Sequence, residues 1–161
     1  MANPILAEGR RAPAFTLPSH DGERIRLTSF RGRWVVLYFY PRDMTPGCTL
    51  EACDFRDLAP QFKRRKAIIL GVSPDDSASH QKFARKFKLP FPLLVDRDSK
   101  VAARYGVWRE KSNYGRKYLG IVRSTFLIDP SGKLARVFDN LRVKGHADKV
   151  LKTLTESDSA G

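Results

Sequence analysis

Apolar residues fall into two kinds of pattern along the chain. Trp34 to Tyr40 (WVVLYFY) and Ala67 to Ser73 (AIILGVS) are short runs without polar alternation, which predicts strands buried on both faces. Between them, Cys48, Ala52, Phe55, Ala59 and Phe62 recur at spacings of four, three, four and three, one face of a helix. Thr45-Pro46 has the form of that helix's start, a hydroxyl N-cap followed by proline at the first helical position. Pro60 is expected to interrupt it, because proline removes the hydrogen bond to Arg56. Phe83 and Phe87, one turn apart, mark the buried side of a second helix over 77–88, with Ser73-Pro74-Asp75-Asp76 as loop and cap.

The flanks follow by turn chemistry. Residues 1–13 read as a loop, and 14–18 with 23–27 as a hairpin around Asp21-Gly22. Residues 28–33 form a connector turning at Gly32. Residues 93–96 predict a strand, and 99–105 a short helix that Gly106 closes. Arg109 to Gly120 is polar and contains glycine, so it reads as a loop. Residues 121–129 and 134–138 are strands joined by Pro130-Ser131-Gly132, and 146–156 form a last helix with a polar tail. Strands alternating with helices, closed by a hairpin and a final helix, predict an α/β fold: a mixed central sheet flanked by helices, with an N-terminal β-hairpin. No repeat, linker or low-complexity segment divides the chain, so 1–161 is expected to be a single domain.

Composition narrows the function. Apolar residues make up 42% and charged residues 29%, as in an ordinary soluble globule, and no apolar span is long enough for a membrane helix. MANPILAEGRR lacks the basic-then-apolar layout of a signal peptide, so a cytoplasmic protein is expected. The net charge of +13 invites nucleic acid as a partner. Its clusters, Arg31-Gly32-Arg33, 63–66, 82–88 and Arg116-Lys117, are scattered over different predicted elements. No nucleic-acid motif accompanies them, so specific recognition is not expected. His20, His80 and His146 show no metal-ligand spacing and each reads most simply as a surface residue. Two cysteines in a reducing compartment point to catalysis rather than a structural bridge.

The first of these sits where chemistry is easiest. With Thr45 as cap, Cys48 is the third helical residue, facing unpaired N–H groups and the positive end of the helix dipole, and both favour thiolate over thiol. It also starts the core-facing stripe, which places it at the bottom of a pocket. The plainer alternative is a small buried apolar residue. Cys53 lies about 140° round the same helix and points elsewhere.

FYPRDMTPGCTLEACDFRD resembles the active-site segment of the peroxiredoxins, specifically the bacterioferritin-comigratory or PrxQ subfamily. Pro41, Thr45 and Cys48 meet the family's spacing. Glu51 matches a glutamate one turn beyond, and Cys53 the subfamily's resolving cysteine. GVW at 106–108 and the run from Tyr114 through IVRSTFLIDPSGKL at 121–134 carry the likeness onward, with Arg123 on the active-site arginine. Met44 stands where relatives often have a polar residue.

The resemblance implies a thioredoxin-like fold and a thiol peroxidase acting on hydrogen peroxide and organic hydroperoxides. Cys48 would become a sulfenic acid and then form a disulfide with Cys53, with thioredoxin or a similar dithiol as reductant. Thr45, Gly47 and Arg123 would contact the peroxide, Pro41 would shield it, and Glu51 would orient Arg123. Taken alone, Arg123 is more simply a solvated strand residue and Glu51 an exposed helical one. No metal or organic cofactor is implied, and an internal resolving cysteine favours a monomer. A redox sensor or chaperone using the same thiol, and a basic nucleic-acid-binding module, are the alternatives.

Overall fold

The structure, a computed structural model, describes residues 4–160. β1 (Thr16–Pro18) and β2 (Arg24–Arg26) make the N-terminal hairpin, shorter than its sequence pattern because Leu27 already opens a 3-10 turn, Leu27–Phe30. β3 (Trp34–Phe39), α1 (Pro46–Arg64), β4 (Ala67–Ser73), α2 (Ser77–Phe87), β5 (Leu93–Val95) and α3 (Lys100–Tyr105) follow. After them come β6 (Trp108–Asn113), β7 (Arg116–Ile121), β8 (Ser124–Ile128), β9 (Leu134–Phe138) and α4 (His146–Ala160).

The five-stranded sheet has the order β5-β4-β3-β8-β9, with β3 parallel to β4 and antiparallel to β8. β3 therefore lies at the centre, and every one of its residues is buried. Its alternate side chains feed two separate cores. Trp34, Val36 and Tyr38 face α1, α2 and α4, while Val35, Leu37 and Phe39 face the side of α3. An unbroken apolar run is what such two-sided burial demands.

The predicted stripe of α1 packs on this sheet: Cys48, Ala52, Phe55 and Phe62 are buried and Ala59 is partly so. Pro60 does not interrupt the helix, contrary to the sequence expectation. α1 runs nineteen residues straight through it. The lost hydrogen bond costs about 3 kcal/mol in an isolated helix. Here the turn beyond the proline is held by Phe62, fully buried with its ring centroid 6.0 Å from that of Phe55.

Two further corrections concern the polar stretches. The loop expected over 109–120 is a hairpin: β6 and β7 pair from Trp108↔Ile121 to Asn113↔Arg116 around a two-residue turn, Tyr114-Gly115, in which both residues have positive φ. The more covered side of this ribbon carries Arg109 and Lys111 rather than apolar residues, so no apolar alternation reveals it, and its signal lay in the turn residues alone. The histidines are not surface residues either. His80 and His146 are buried and His20 is half-buried.

His146 lies edge-on to the rings of Phe55 and Phe138, and its Nε2 sits 2.8 Å from Thr125 Oγ1. Burial, then the charges of Lys149 and Arg123, press its pKa down to about 4. Unfolded chain takes up this proton below about pH 6.5, whereas the folded chain resists until near pH 4. The His146 contribution to stability should therefore be lost as pH falls through this window, by up to about 3 kcal/mol. Glu51, whose carboxyl burial raises to about 7, pulls the other way over the same range, so the check is a difference: the urea midpoint of wild type should fall relative to that of His146→Gln as pH drops from about 6.5 to about 4.

Candidate active site

β3 delivers the chain to the site and Pro41, half-buried, turns it out of the sheet. Tyr40 N–H donates to the Val72 carbonyl at 3.0 Å, so the strand's pairing holds up to the turn. The next loop is pinned by a network that the sequence pattern did not disclose. Asp43 is buried and accepts from Tyr40 OH at 2.6 Å and from Ser79 Oγ at 2.8 Å. His80 Nδ1 lies 2.6 Å from Asp43 Oδ2, and His80 Nε2 donates to the Leu94 carbonyl at 2.9 Å. Asp43 N–H donates in turn to Asp75 Oδ2 at 2.7 Å.

Asp43, Asp75 and His80 are the one group of metal-ligating types clustered among the described residues. Their ligand atoms are engaged in these protein hydrogen bonds, so the cluster acts as an anchor. It fixes the loop to α2 and β5, and Met44 follows it, exposed and with positive φ.

Thr45 holds the N-cap position and Pro46 begins the helix, as the sequence predicts. The capping bond is absent, however. Thr45 Oγ1 instead donates to the Arg42 carbonyl at 2.9 Å, which tightens the loop and leaves the oxygen's lone pairs facing outward from that bond. One turn in, Cys48 is buried, with 1% exposure. Arg123 reaches it from just before β8, the antiparallel neighbour of β3. Its Nη2 donates to Cys48 Sγ at 3.2 Å, and its Nη1 to Glu51 Oε1 at 2.7 Å. Its backbone carbonyl accepts from Leu141 N–H at 3.1 Å, which fixes the root of the side chain. Gly47 makes the approach possible: a Cβ there would stand 3.2 Å from Arg123 Nη2.

Arg123 is thus neither free nor fully solvated, and Glu51 is not an exposed helical glutamate: it is 1% exposed. Burial raises the Glu51 carboxyl to about 7 against the opposing pull of Arg123. Its Oε2 is buried without a hydrogen-bond partner, in keeping with that shift. For Arg123 burial acts downward, yet the charges of Glu51 and Cys48 outweigh it and the net shift is upward. The guanidinium is therefore a permanent cation bridging carboxylate and sulfur.

Cys53 is half-buried and does not join this group. Burial pushes its thiol up, opposed by Arg56 and aided by Asp57 and Asp54. Both cysteines are free thiols on one intact helix. Of the predicted site residues, Cys48, Glu51, Arg123 and Gly47 come together directly, Thr45 and Pro41 border them, and Cys53 stands apart. Sequence reasoning missed Tyr40, Asp43 and His80. It also missed Arg109 and Lys111, which the hairpin brings to a polar cavity beside Arg123.

The sequence pattern of the AhpC/TSA family matches residues 9–137. The chain is 49% identical over 148 residues to peroxiredoxin Bcp of Bacillus subtilis, covering 92% of this chain and 94% of that one. It is 47% identical over 154 residues to peroxiredoxin Bcp of Escherichia coli, covering 96% and 98%. The solved bacterioferritin comigratory protein of Xanthomonas campestris superposes with a TM-score of 0.89 at 40% identity, covering 94% of this chain and 99% of that one. The thioredoxin-like fold expected from the resemblance is the fold of these relatives, and among the described residues no helix is long and apolar enough to cross a membrane. A buried cysteine at a helix N-terminus, clamped by an arginine and a glutamate inside this matched region, places the chain in the AhpC/TSA family, as a peroxiredoxin of the Bcp/PrxQ type and a thiol peroxidase.

Proposed function

We propose that Cys48 is the nucleophile and Cys53 the thiol that resolves it, in a monomeric, cytoplasmic enzyme recycled by thioredoxin or a similar dithiol. The observation that carries this reading is the Arg123 Nη2 contact to Cys48 Sγ, backed by buried Glu51. In the first step the Cys48 thiolate attacks the distal oxygen of a hydroperoxide. An S–O bond forms and the O–O bond breaks. The leaving oxygen takes a proton from solvent, giving Cys48 sulfenic acid and an alcohol or water. Arg123 and the amides of the first turn of α1 stabilise charge on the departing oxygen. Thr45 bonds the peroxide, Pro41 shields the pocket, and Glu51 aims the guanidinium.

In the second step Cys53 sulfur displaces hydroxide from Cys48, and water leaves. Cys53 suits the later role because burial holds it as the thiol while Cys48 reacts. A dithiol then reduces the disulfide by exchange. Two free cysteines in one chain agree with a reducing compartment and need no second subunit.

The two sulfurs should separate kinetically. Cys48→Ser should abolish peroxide consumption, whereas Cys53→Ser should retain the first oxidation and lose thioredoxin-driven turnover. Stopped-flow traces of both variants check this, and equal loss of the first step would refute the assignment.

Geometry also demands motion. Residues five apart in an intact helix have Cα atoms about 8.7 Å apart. A disulfide spans at most about 7 Å. The first turns of α1 must therefore unwind for the bond to form. Pro60 does not shorten the helix, so the opening has to start from the Thr45 end, where no side-chain cap bond holds it. Amide exchange should show residues 47–59 protected in the reduced enzyme and exposed in the disulfide form. Unchanged protection across that segment would exclude Cys53 as the resolving thiol.

A further inference from the structure

Beside Arg123, β6 lines an open cavity of about 580 Å³ whose walls include Pro41, Arg109, Lys111, Ser112, Arg123 and Asp139. It opens from the catalytic centre, because Arg123 and Pro41 belong to both. A hydroperoxide with its O–O bond at Cys48 has this space available for the group on its other end.

The charges around the cavity are unevenly matched. Arg109 is held by Asp139 in a two-pronged ion pair. Glu110 faces Lys117 across the hairpin at 3.8 Å. Arg123 is paired to buried Glu51. Lys111 alone among these cations has no acidic partner within the described residues. Its Nζ donates to the Ile121 carbonyl at 2.8 Å, which uses one of three N–H groups.

This ammonium is positioned rather than trailing in solvent. The stem crosses the hairpin over Gly120, where a Cβ would stand 3.2 Å from Lys111 Cδ. Burial and the neighbouring Arg123 disfavour its charge, and the Cys48 sulfur favours it. Lys111 carries its charge against burial and the neighbouring Arg123 with no acidic partner of its own among the described residues, and an anion bound at its Nζ relieves that penalty. The lining offers little apolar wall, so the anion it suits is carried on a short polar substituent rather than a long alkyl chain.

Resting on the peroxidase reading above, we propose that this cavity is a substrate subsite that binds the carboxylate of short, acid-bearing hydroperoxides, with Lys111 as its anchor. The chemistry at sulfur is unchanged: the Cys48 thiolate takes the distal oxygen, the O–O bond breaks, and a hydroxy acid leaves after protonation. Lys111 contributes by holding the far end of the substrate so that the O–O bond lies in line with Sγ.

The test compares 3-hydroperoxy-3-methylbutanoate with its methyl ester, two substrates of nearly equal shape that differ in charge. The second-order rate of Cys48 oxidation is read by stopped-flow fluorescence for each. Wild type should favour the acid by about tenfold at low ionic strength, and added salt should narrow the gap. Lys111→Met should bring the ratio close to one, and Lys111→Arg should keep most of it. Lys152→Met, which removes the same charge from an exposed position on α4, should leave the ratio as in wild type, so that steering by the overall net charge is separated from binding in the cavity. An acid-to-ester ratio identical in wild type and Lys111→Met would overturn the subsite while leaving the peroxidase reading intact. Failure of every peroxide, hydrogen peroxide included, to oxidise Cys48 would overturn both.

Discussion

One contact organises the molecule: the guanidinium of Arg123 at 3.2 Å from the sulfur of Cys48. The two residues are seventy-five apart in sequence, one in the helix that follows β3 and the other just before β8, the strand paired with β3. β3 must be central so that the helix following it starts on the sheet's edge of the core. β8 must pair antiparallel to β3, from Phe39↔Ser124 downward, so that Arg123 emerges beside the loop after Pro41. Gly47 leaves the guanidinium its place, since a Cβ there would stand 3.2 Å from Nη2 and press it aside. Each requirement is met by packing on both faces of β3, and the chemistry inherits its precision from that core.

The contact is also electrostatically expensive. Glu51 is buried to 1% exposure, and burial lifts its carboxyl to about 7, so the anion that holds Arg123 is kept against its own desolvation. A buried ion pair of this kind contributes little net stability, and removing one partner costs several kcal/mol by leaving the other charge unmatched. What the pair fixes is geometry: with Nη1 on Glu51, Nη2 is left facing the Cys48 sulfur. Across the loop, the Tyr40–Asp43–His80 chain fixes the backbone that leads into α1.

What the sequence disclosed depended on how strongly burial constrains each segment. β3, β4 and the stripe of α1 were legible because two-sided burial leaves only apolar residues there. The place of Cys48, buried near the start of α1, was legible from Thr45-Pro46 and the core-facing stripe, and the meeting of Arg123 with Glu51 from the resemblance rather than from any local pattern. Pro60 misled because tertiary packing of Phe62 outweighs a local preference. The hairpin was hidden because its half-covered side is lined by Arg109 and Lys111, which leave no apolar periodicity to read. His80 was hidden for a different reason: a buried histidine is made acceptable by partners distant in sequence, here Asp43 and the Leu94 carbonyl.

The central claim is that Arg123 acts through directed hydrogen bonds to the reacting sulfur and oxygen, and not merely as a nearby charge. The most direct measurement is the pre-steady-state rate of Cys48 oxidation by hydrogen peroxide in wild type and in Arg123→Lys, with unfolding midpoints recorded for both. Lysine keeps the charge and loses the planar fork that spans Cys48 and Glu51. The account predicts a first step slowed by about a hundredfold, the scale of losing one oriented donor at a developing anion, with a fold that remains cooperative. A rate within about twofold of wild type would contradict it, since that is well below the effect of removing such a donor.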